Sequence, residues 1–284
     1  SLAACGGNSG SSAKTDSKSD SAELPTLRVA AMPFITSLPT YYIQQNNLGE
    51  KYGFKMDVTM FATGAPMNEA LAADLWDVGA MGAAAVTGVA NYDEMIIGEV
   101  LESVDGLGVF VKPDSPIATD EGYNPSYPTV KGSPETVKGI TILTPVGTAQ
   151  HMTVLKWLEK LGMEPTDVNI VNMDSVQAYQ ALQAGQCDAA SLNVPTFFDA
   201  INDGMVQVGN LADMGIKYVD MVVANRKADL ERVQFITRTD WKDRQIGNFA
   251  KELGEFYVGQ GQLEPNVIDK FETNVVDTFV KGYK

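Results

Sequence analysis

The sequence predicts an α/β protein of two lobes, each a mostly parallel sheet covered by helices. Three observations predict it. The chain has 284 residues, long for one ordinary core and suited to two lobes of roughly 100–150 residues each. Short apolar runs alternate with stretches of helical periodicity, the rhythm of strands crossed over by helices. That rhythm halts at a proline-rich stretch, KPDSPIATDEGYNPSYP, and then starts again. Such a stretch is turn chemistry and marks a surface loop.

In the first half, TLRVAAM (Thr26 to Met32) is an apolar run bounded by prolines and reads as a buried strand. A helix is expected from Thr36 to Asn47. FKMDVTMF (Phe54 to Phe61) alternates with period two, so it is a strand, and a helix follows from Ala65 to Ala73. DVGAMG continues the pattern as a strand, with a small-residue helix after Gly82. MIIGEVL (Met95 to Leu101) and GLGVFV (Gly106 to Val111) are the last strands before the loop. The second half repeats the grammar: strand Ile140 to Pro145, helix Thr148 to Leu161, strand Val168 to Met173, helix Ser175 to Ala184, strand CDAASL and helix Pro195 to Asp203. YVDMVVAN (Tyr218 to Asn225) is a late strand that lets the backbone return to the first lobe. Helices are expected at Lys242 to Tyr257 and Val267 to Val280. The lobes are thus assigned as 26–108 with 219–284, and 109–218. Two crossings, near Gly106 to Lys112 and Met214 to Asn225, form a hinge.

One unit occurs once in each half. EALAADLWDVGA (Glu69 to Ala80) and QALQAGQCDAAS (Gln180 to Ser191) align without gaps as helix end, turn, and an aspartate opening a strand of small residues.

Charge and composition narrow the function. With 21 basic and 36 acidic side chains the formal charge is −15, which repels nucleic acid and anionic lipid over most of the surface. No run of about 18 apolar residues is present for a helix to cross a bilayer. Enzyme motifs are missing: there is no H-E-x-x-H, no G-x-S-x-G and no phosphate loop. One histidine and two cysteines do not assemble the three or four ligands that zinc takes, so neither a metal nor a cofactor is expected. His151 reads as a packed histidine and Cys187 as a small buried apolar group.

What stands out is a set of small, polar, glycine-bearing turns at the carboxyl ends of strands, where open α/β sheets bind ligands. They are Pro33 to Ser37, Thr63-Gly64-Ala65, Met81-Gly82-Ala83 and Thr144 to Gln150. Each opens a helix, whose N-terminal N–H groups attract anions without help from arginine. Candidate ligand-binding residues are Phe34, Ser37, Thr63, Gly64, Gly82, Gly147, Thr148, Gln150 and Asn193, the last at the end of CDAASLN. Each hydroxyl residue equally suits a helix cap. Phe34, Tyr41, Tyr42 and Trp76 are alternatives as stacking partners for a ring.

The run VGTAQHMTVLKWLEKLGMEPTDVNIVNMDSVQAYQALQAGQCDAASLNVPTFFDA resembles the second lobe of nitrate/sulfonate/taurine-type substrate-binding proteins of ABC importers. FATGAPMNEALAADLWDVGAMG is similar to the first-lobe segment of that family. The resemblance covers about Thr26 to Asn225. It implies the two-lobed periplasmic-binding-protein fold of the second type, capture of a small anion such as a sulfonate, taurine or nitrate, and delivery to a permease and its ATPase by a monomeric receptor. On these motifs it points to Gly147 and Thr148, to Ser37, Thr63 and Gly82, and to Asn193. The alternatives are a receptor for an aromatic or pyrimidine-like vitamin precursor and, from another class, an enzyme of cofactor biosynthesis on the same fold. The chain departs from the family pattern in two places. Asp74 stands where the family has glycine, and only ADLERVQFITRTDW follows VVANRK where the family has a long helical stretch.

The first residues, Leu2-Ala3-Ala4-Cys5, fit the bacterial lipoprotein box, in which the cysteine is lipidated. They imply a sequence that begins downstream of the charged and apolar parts of a signal peptide. GGNSGSSAKTDSKSDSAE follows, too polar to bury a core and suited to a flexible tether. Residues 1–25 are therefore read as anchor and tether, on the extracytoplasmic face of a bacterial membrane.

Overall fold

A computed structural model describes residues 23–228 and 245–281. Among these residues ten strands form two five-stranded sheets. The first sheet begins with β1 (Thr26–Ala31), whose apolar side chains face inward as its bounding prolines suggest. A 3-10 turn at Ile35–Ser37 leads to α1 (Leu38–Gln45), α2 (Leu48–Lys51) and β2 (Lys55–Met60). Then come α3 (Gly64–Ala72), β3 (Val78–Met81), α4 (Ala84–Tyr92) and β4 (Met95–Ser103). The chain passes through Val104 to Gly106 into the second sheet at β5 (Leu107–Val111), which pairs only with strands of that sheet.

The second lobe holds α5 (Pro134–Val137), β6 (Thr141–Thr144), α6 (Ala149–Lys160), β7 (Asn169–Asn172), α7 (Ser175–Gln183), β8 (Ala189–Asn193), α8 (Thr196–Asn202) and β9 (Val206–Asn210). β9 corresponds to no strand expected from the sequence. The chain then returns to the first sheet as β10 (Tyr218–Ala224) and ends in α9 (Asn248–Gly259), α10 (Lys270–Thr273) and α11 (Thr278–Lys281).

The strand orders are β2-β1-β3-β10-β4 and β7-β6-β8-β5-β9. β1, β2 and β3 are parallel, and β10 runs antiparallel to both β3 and β4. β6, β7 and β8 are parallel, with β5 antiparallel to β8 and β9. Each sheet is therefore mixed, with four strands in one direction and a single reversed strand: the one by which the chain enters that lobe. An entering strand runs away from the crossing point, so the other four present their carboxyl ends to the space between the lobes. The turns singled out in the sequence lie at those ends.

Each lobe has its own apolar core. Trp76, Met67, Met81 and Val89 are buried beside the first sheet, and Trp157, Ile142, Val154 and Leu158 beside the second. Met152 and Leu155 of α6 belong to the same apolar cluster as Met81, Tyr218 and Tyr257 of the first lobe, so the lobes touch along that helix. Lys156 adds a cation over the ring of Phe256 at 3.5 Å.

Two helix expectations need correction. The stretch 36–47 begins as a 3-10 turn and breaks at Asn47, whose φ is 51°. Val267 to Val280 is not one helix. Val275 and Val276 extend instead, and the Val276 N–H donates to the Ile96 carbonyl at 2.8 Å while the Ile96 N–H reaches that of Asn274. β-branched residues at a free sheet edge favour this pairing over a helix. The start of the helix expected from Lys242 lies outside the described residues, as do Cys5 and most of the proposed tether.

Candidate functional site

A cavity of 110 Å3 lies between the lobes, and its wall comes from both. The first lobe contributes Phe34, Thr36, Thr63, Gly64, Gly82, Tyr218 and Asp220. Thr148, Ala149, Gln150, Asn193 and Val194 come from the second, and Asp105 and Gly106 from the crossing between them. Seven of the nine sequence candidates are brought together here: Phe34, Thr63, Gly64, Gly82, Thr148, Gln150 and Asn193.

Two are placed elsewhere. Ser37 is fully buried, and its Oγ accepts the Met32 N–H at 2.8 Å, which ties the 3-10 turn back to the end of β1. Its neighbour Thr36 faces the cavity instead. Gly147 takes φ 80°, a conformation that suits glycine. It borders a different cavity of 180 Å3, with His151, Tyr257, Thr87 and Asn91. The Gly147 N–H donates to His151 Nδ1 at 3.2 Å, and burial lowers that imidazole to about 4, so it is a neutral packed histidine.

Of the four aromatic candidates for ring stacking only Phe34 lines the cleft. Trp76 is sealed in the core with its indole N–H on the Met67 carbonyl. Tyr42 is exposed, and the Tyr41 hydroxyl donates to the Met32 carbonyl.

Thr63 and Thr148 precede α3 and α6 in extended conformation, and neither side chain caps its helix. Thr148 Oγ1 turns to the Pro145 carbonyl at 2.6 Å and to Gln150 Oε1 at 3.1 Å. No acidic side chain occupies the first turn of α3, α4 or α6, so their partial positive charge is not neutralised from within. Asn193 Oδ1 accepts from Ser175 Oγ at 3.0 Å, which leaves its NH2 group as a donor at the end of β8.

The opposite wall carries what sequence reasoning missed. Asp220, on β10, is 5% exposed, and its Oδ2 accepts from Thr36 Oγ1 at 3.1 Å. Burial raises its carboxyl to about 6, with the Thr36 hydroxyl pulling the other way. Tyr218 Oη accepts the Ala83 N–H at 2.5 Å and is held well above the usual phenol range by burial. A Cβ on Gly82 would lie 1.7 Å from Tyr218 Oη and 2.7 Å from Asp220 Oδ1, so only glycine fits this turn. The signal was present in YVDMVVAN: a charged residue in an otherwise apolar strand is either exposed at an edge or functional.

Residues 20–214 match the NMT1-like family. The chain belongs to that family. It is 44% identical over 268 residues, 92% of this chain and 75% of the other, to a protein of Brachyspira hyodysenteriae named as a periplasmic binding protein of an ABC transporter. Among solved structures, the aliphatic sulphonate binding protein SsuA of Escherichia coli superposes with a TM-score of 0.58 at 19% identity, over 88% of this chain and 80% of that one. The periplasmic nitrate-binding protein NrtA of Synechocystis PCC 6803 gives 0.54 at 14% identity, over 92% and 73%. At such identities these structures speak to the fold: the NMT1-like chain has the two-lobed periplasmic-binding-protein architecture.

Proposed function

We propose that this NMT1-like protein is the solute-capturing receptor of an ABC import system, working outside the cytoplasmic membrane. Lipid on Cys5 tethers it there, and it hands its solute to a permease driven by an ATPase. It acts as a monomer and catalyses nothing. The observation that carries this reading is the convergence of strand-end turns from both lobes on one cavity. A solute held by both walls favours the closed arrangement, because its contacts to the second wall exist only there. The name of the 44% identical relative supports the same reading.

The solute carries an acid group of the sulfonate, taurine or nitrate kind. The starts of α3 and α6, with the Thr63 hydroxyl and the Asn193 amide, receive it through N–H and O–H donors. SsuA and NrtA, whose names specify sulphonate and nitrate, share the fold. Calorimetric titration with alkanesulfonates, taurine and nitrate should give binding at micromolar concentration, about −8 kcal/mol. No heat from any of them, with binding of an uncharged heterocycle instead, would sink the acid-group reading. The mass of the mature N-terminus checks the lipid on Cys5.

A further inference from the structure

Among the described residues, the cleft wall contains two aspartates, Asp105 and Asp220, and no lysine, arginine or histidine. For a receptor of plain anions this is the wrong balance of charge. Asp105 is partly spoken for, since its Oδ1 accepts the Gly106 N–H at 2.8 Å. Asp220 is not. Its Oδ2 receives the Thr36 hydroxyl, whereas its Oδ1 has no hydrogen-bond partner among the described residues, although the side chain is 5% exposed and borders the cavity. A buried carboxylate with an open acceptor and no counter-charge is costly unless something completes it. The glycine at position 82 leaves that oxygen uncovered.

We propose that Asp220 binds a protonated or N–H-bearing nitrogen of the solute, so that the receptor selects a short zwitterion, an acid group and an amine on one small skeleton, over a plain anion. This rests on the acid-group reading above for the other end of the solute. The two ends need different walls, and the cleft supplies both. Donors without formal charge line the starts of α3 and α6, and an acceptor with formal charge lies on β10. The cavity of 110 Å3 suits a skeleton of a few carbons. A nitrate or an unsubstituted alkanesulfonate would meet the helix starts equally well but would leave Asp220 unpaired beside a like charge.

Titration of matched pairs against the full chain at pH 7.5 tests this: taurine against ethanesulfonate, and β-alanine against propionate. The amino member of at least one pair should bind tenfold or more tightly than its partner. In Asp220→Asn and Asp220→Ser that preference should shrink to within twofold. The preference should also fade as pH falls through about 6, where the carboxyl takes up its proton. Thr36→Val, which removes the hydroxyl that favours the carboxylate, should move that midpoint upward. The other titratable groups near Asp220 are Tyr218 on its own strand, Asp105 across the cleft, Glu99 and Glu102 on the adjoining β4, and Tyr257 of α9. Among these Tyr218 and Tyr257 stay protonated throughout the range, held above the ordinary phenol value by burial.

Equal binding of both members of each pair by the unaltered chain overturns the proposal and leaves the acid-group reading intact. That comparison needs no variant, so a substitution that fails to fold does not obscure it. Binding of ethanolamine with none of the four acids does the reverse, supporting Asp220 as an amine site and removing the acid group. Binding of none of the five compounds overturns both.

Discussion

The two copies of the helix-turn-strand unit share a backbone and differ in what holds it. In the first, the N–H groups of Ala73, Asp74 and Leu75 reach the carbonyls of Glu69, Leu71 and Ala70. In the second, Ala184, Gly185 and Gln186 reach Gln180, Leu182 and Ala181, the same three connections. Each aspartate then docks its strand onto the neighbouring one. Asp77 Oδ2 accepts the Arg28 N–H and Asp188 Oδ2 the Thr141 N–H, both at 2.8 Å. The differences lie in side chains. Trp76, fully buried, stands where the second copy has the half-buried Cys187. Asp74 takes φ 56° where Gly185 takes 70°. Its carboxylate is met by Arg28 at 3.1 Å and by Asn225 at 2.7 Å. A left-handed position that one lobe fills with glycine, the other fills with an aspartate steadied by its neighbours. The lesson is that a turn conformation is set by the hydrogen-bond pattern at the helix end, and different residues satisfy it at different cost.

The comparison breaks most sharply at the buried position. Trp76→Ala should cost about 4 kcal/mol and lower the melting temperature by about 10 °C, because it empties a packed site and removes the indole N–H from the Met67 carbonyl. Cys187→Ala should cost less than about 1 kcal/mol, since its thiol is only half-buried. Parity between the two in thermal unfolding would mean that the lobes do not differ in how their turns are anchored.

The turn residues come next. Gly185→Ala should cost about 1 kcal/mol from backbone strain alone, as a Cβ there meets only the tip of Lys112 at 3.9 Å. Asp74→Gly should change stability by less than that, because relief of the left-handed backbone offsets the lost contacts. Denaturant melts of both variants check the ordering.

The smallest effect is electrostatic. Arg28→Met removes the cation shared by Asp74 and Asp77, and with its guanidinium partly exposed the melting temperature should fall by about 2 °C, less at high salt. Arg28 holds the Asp74 carboxyl below its ordinary value. The pair's contribution is therefore complete above the unfolded carboxylate value of about 3.9 and lost as pH falls through the lower folded one. The gap between Arg28→Met and the unaltered chain should close in acid. The second copy has Thr141 at the matching place and no such dependence.

Much of this molecule was legible in its residues. Strands at Thr26, Phe54 and Ile140 followed from short apolar runs with punctuation, and the α6 stretch from its 3.6-residue spacing. Val206–Asn210 was not, because VQVGN is only five residues long and its Gln207 and Gly209 interrupt any apolar run, although Asn202-Asp203-Gly204 punctuates the chain before it. The region 267–280 was misjudged because helical spacing there competes with the pairing of Val276 to β4, a contact visible only once β4 is in place. At the cleft, turns were recognised by glycine and hydroxyl residues, which located strand ends but not the direction of side chains.

What the sequence determined by itself was periodic: a strand period of two and a helix period near four assign each segment its type and its apolar face, and their alternation implies two lobes with turns at the strand ends. The tertiary structure alone decided which atoms share the cleft. In the tight turn at Ile35–Ser37 adjacent residues point in different directions, so Ser37 closes the end of β1 while Thr36 reaches Asp220, which is 184 residues away along the chain. Local pattern carries no information about a partner that distant, because the two meet only when β10 returns from the second lobe and slots beside β3.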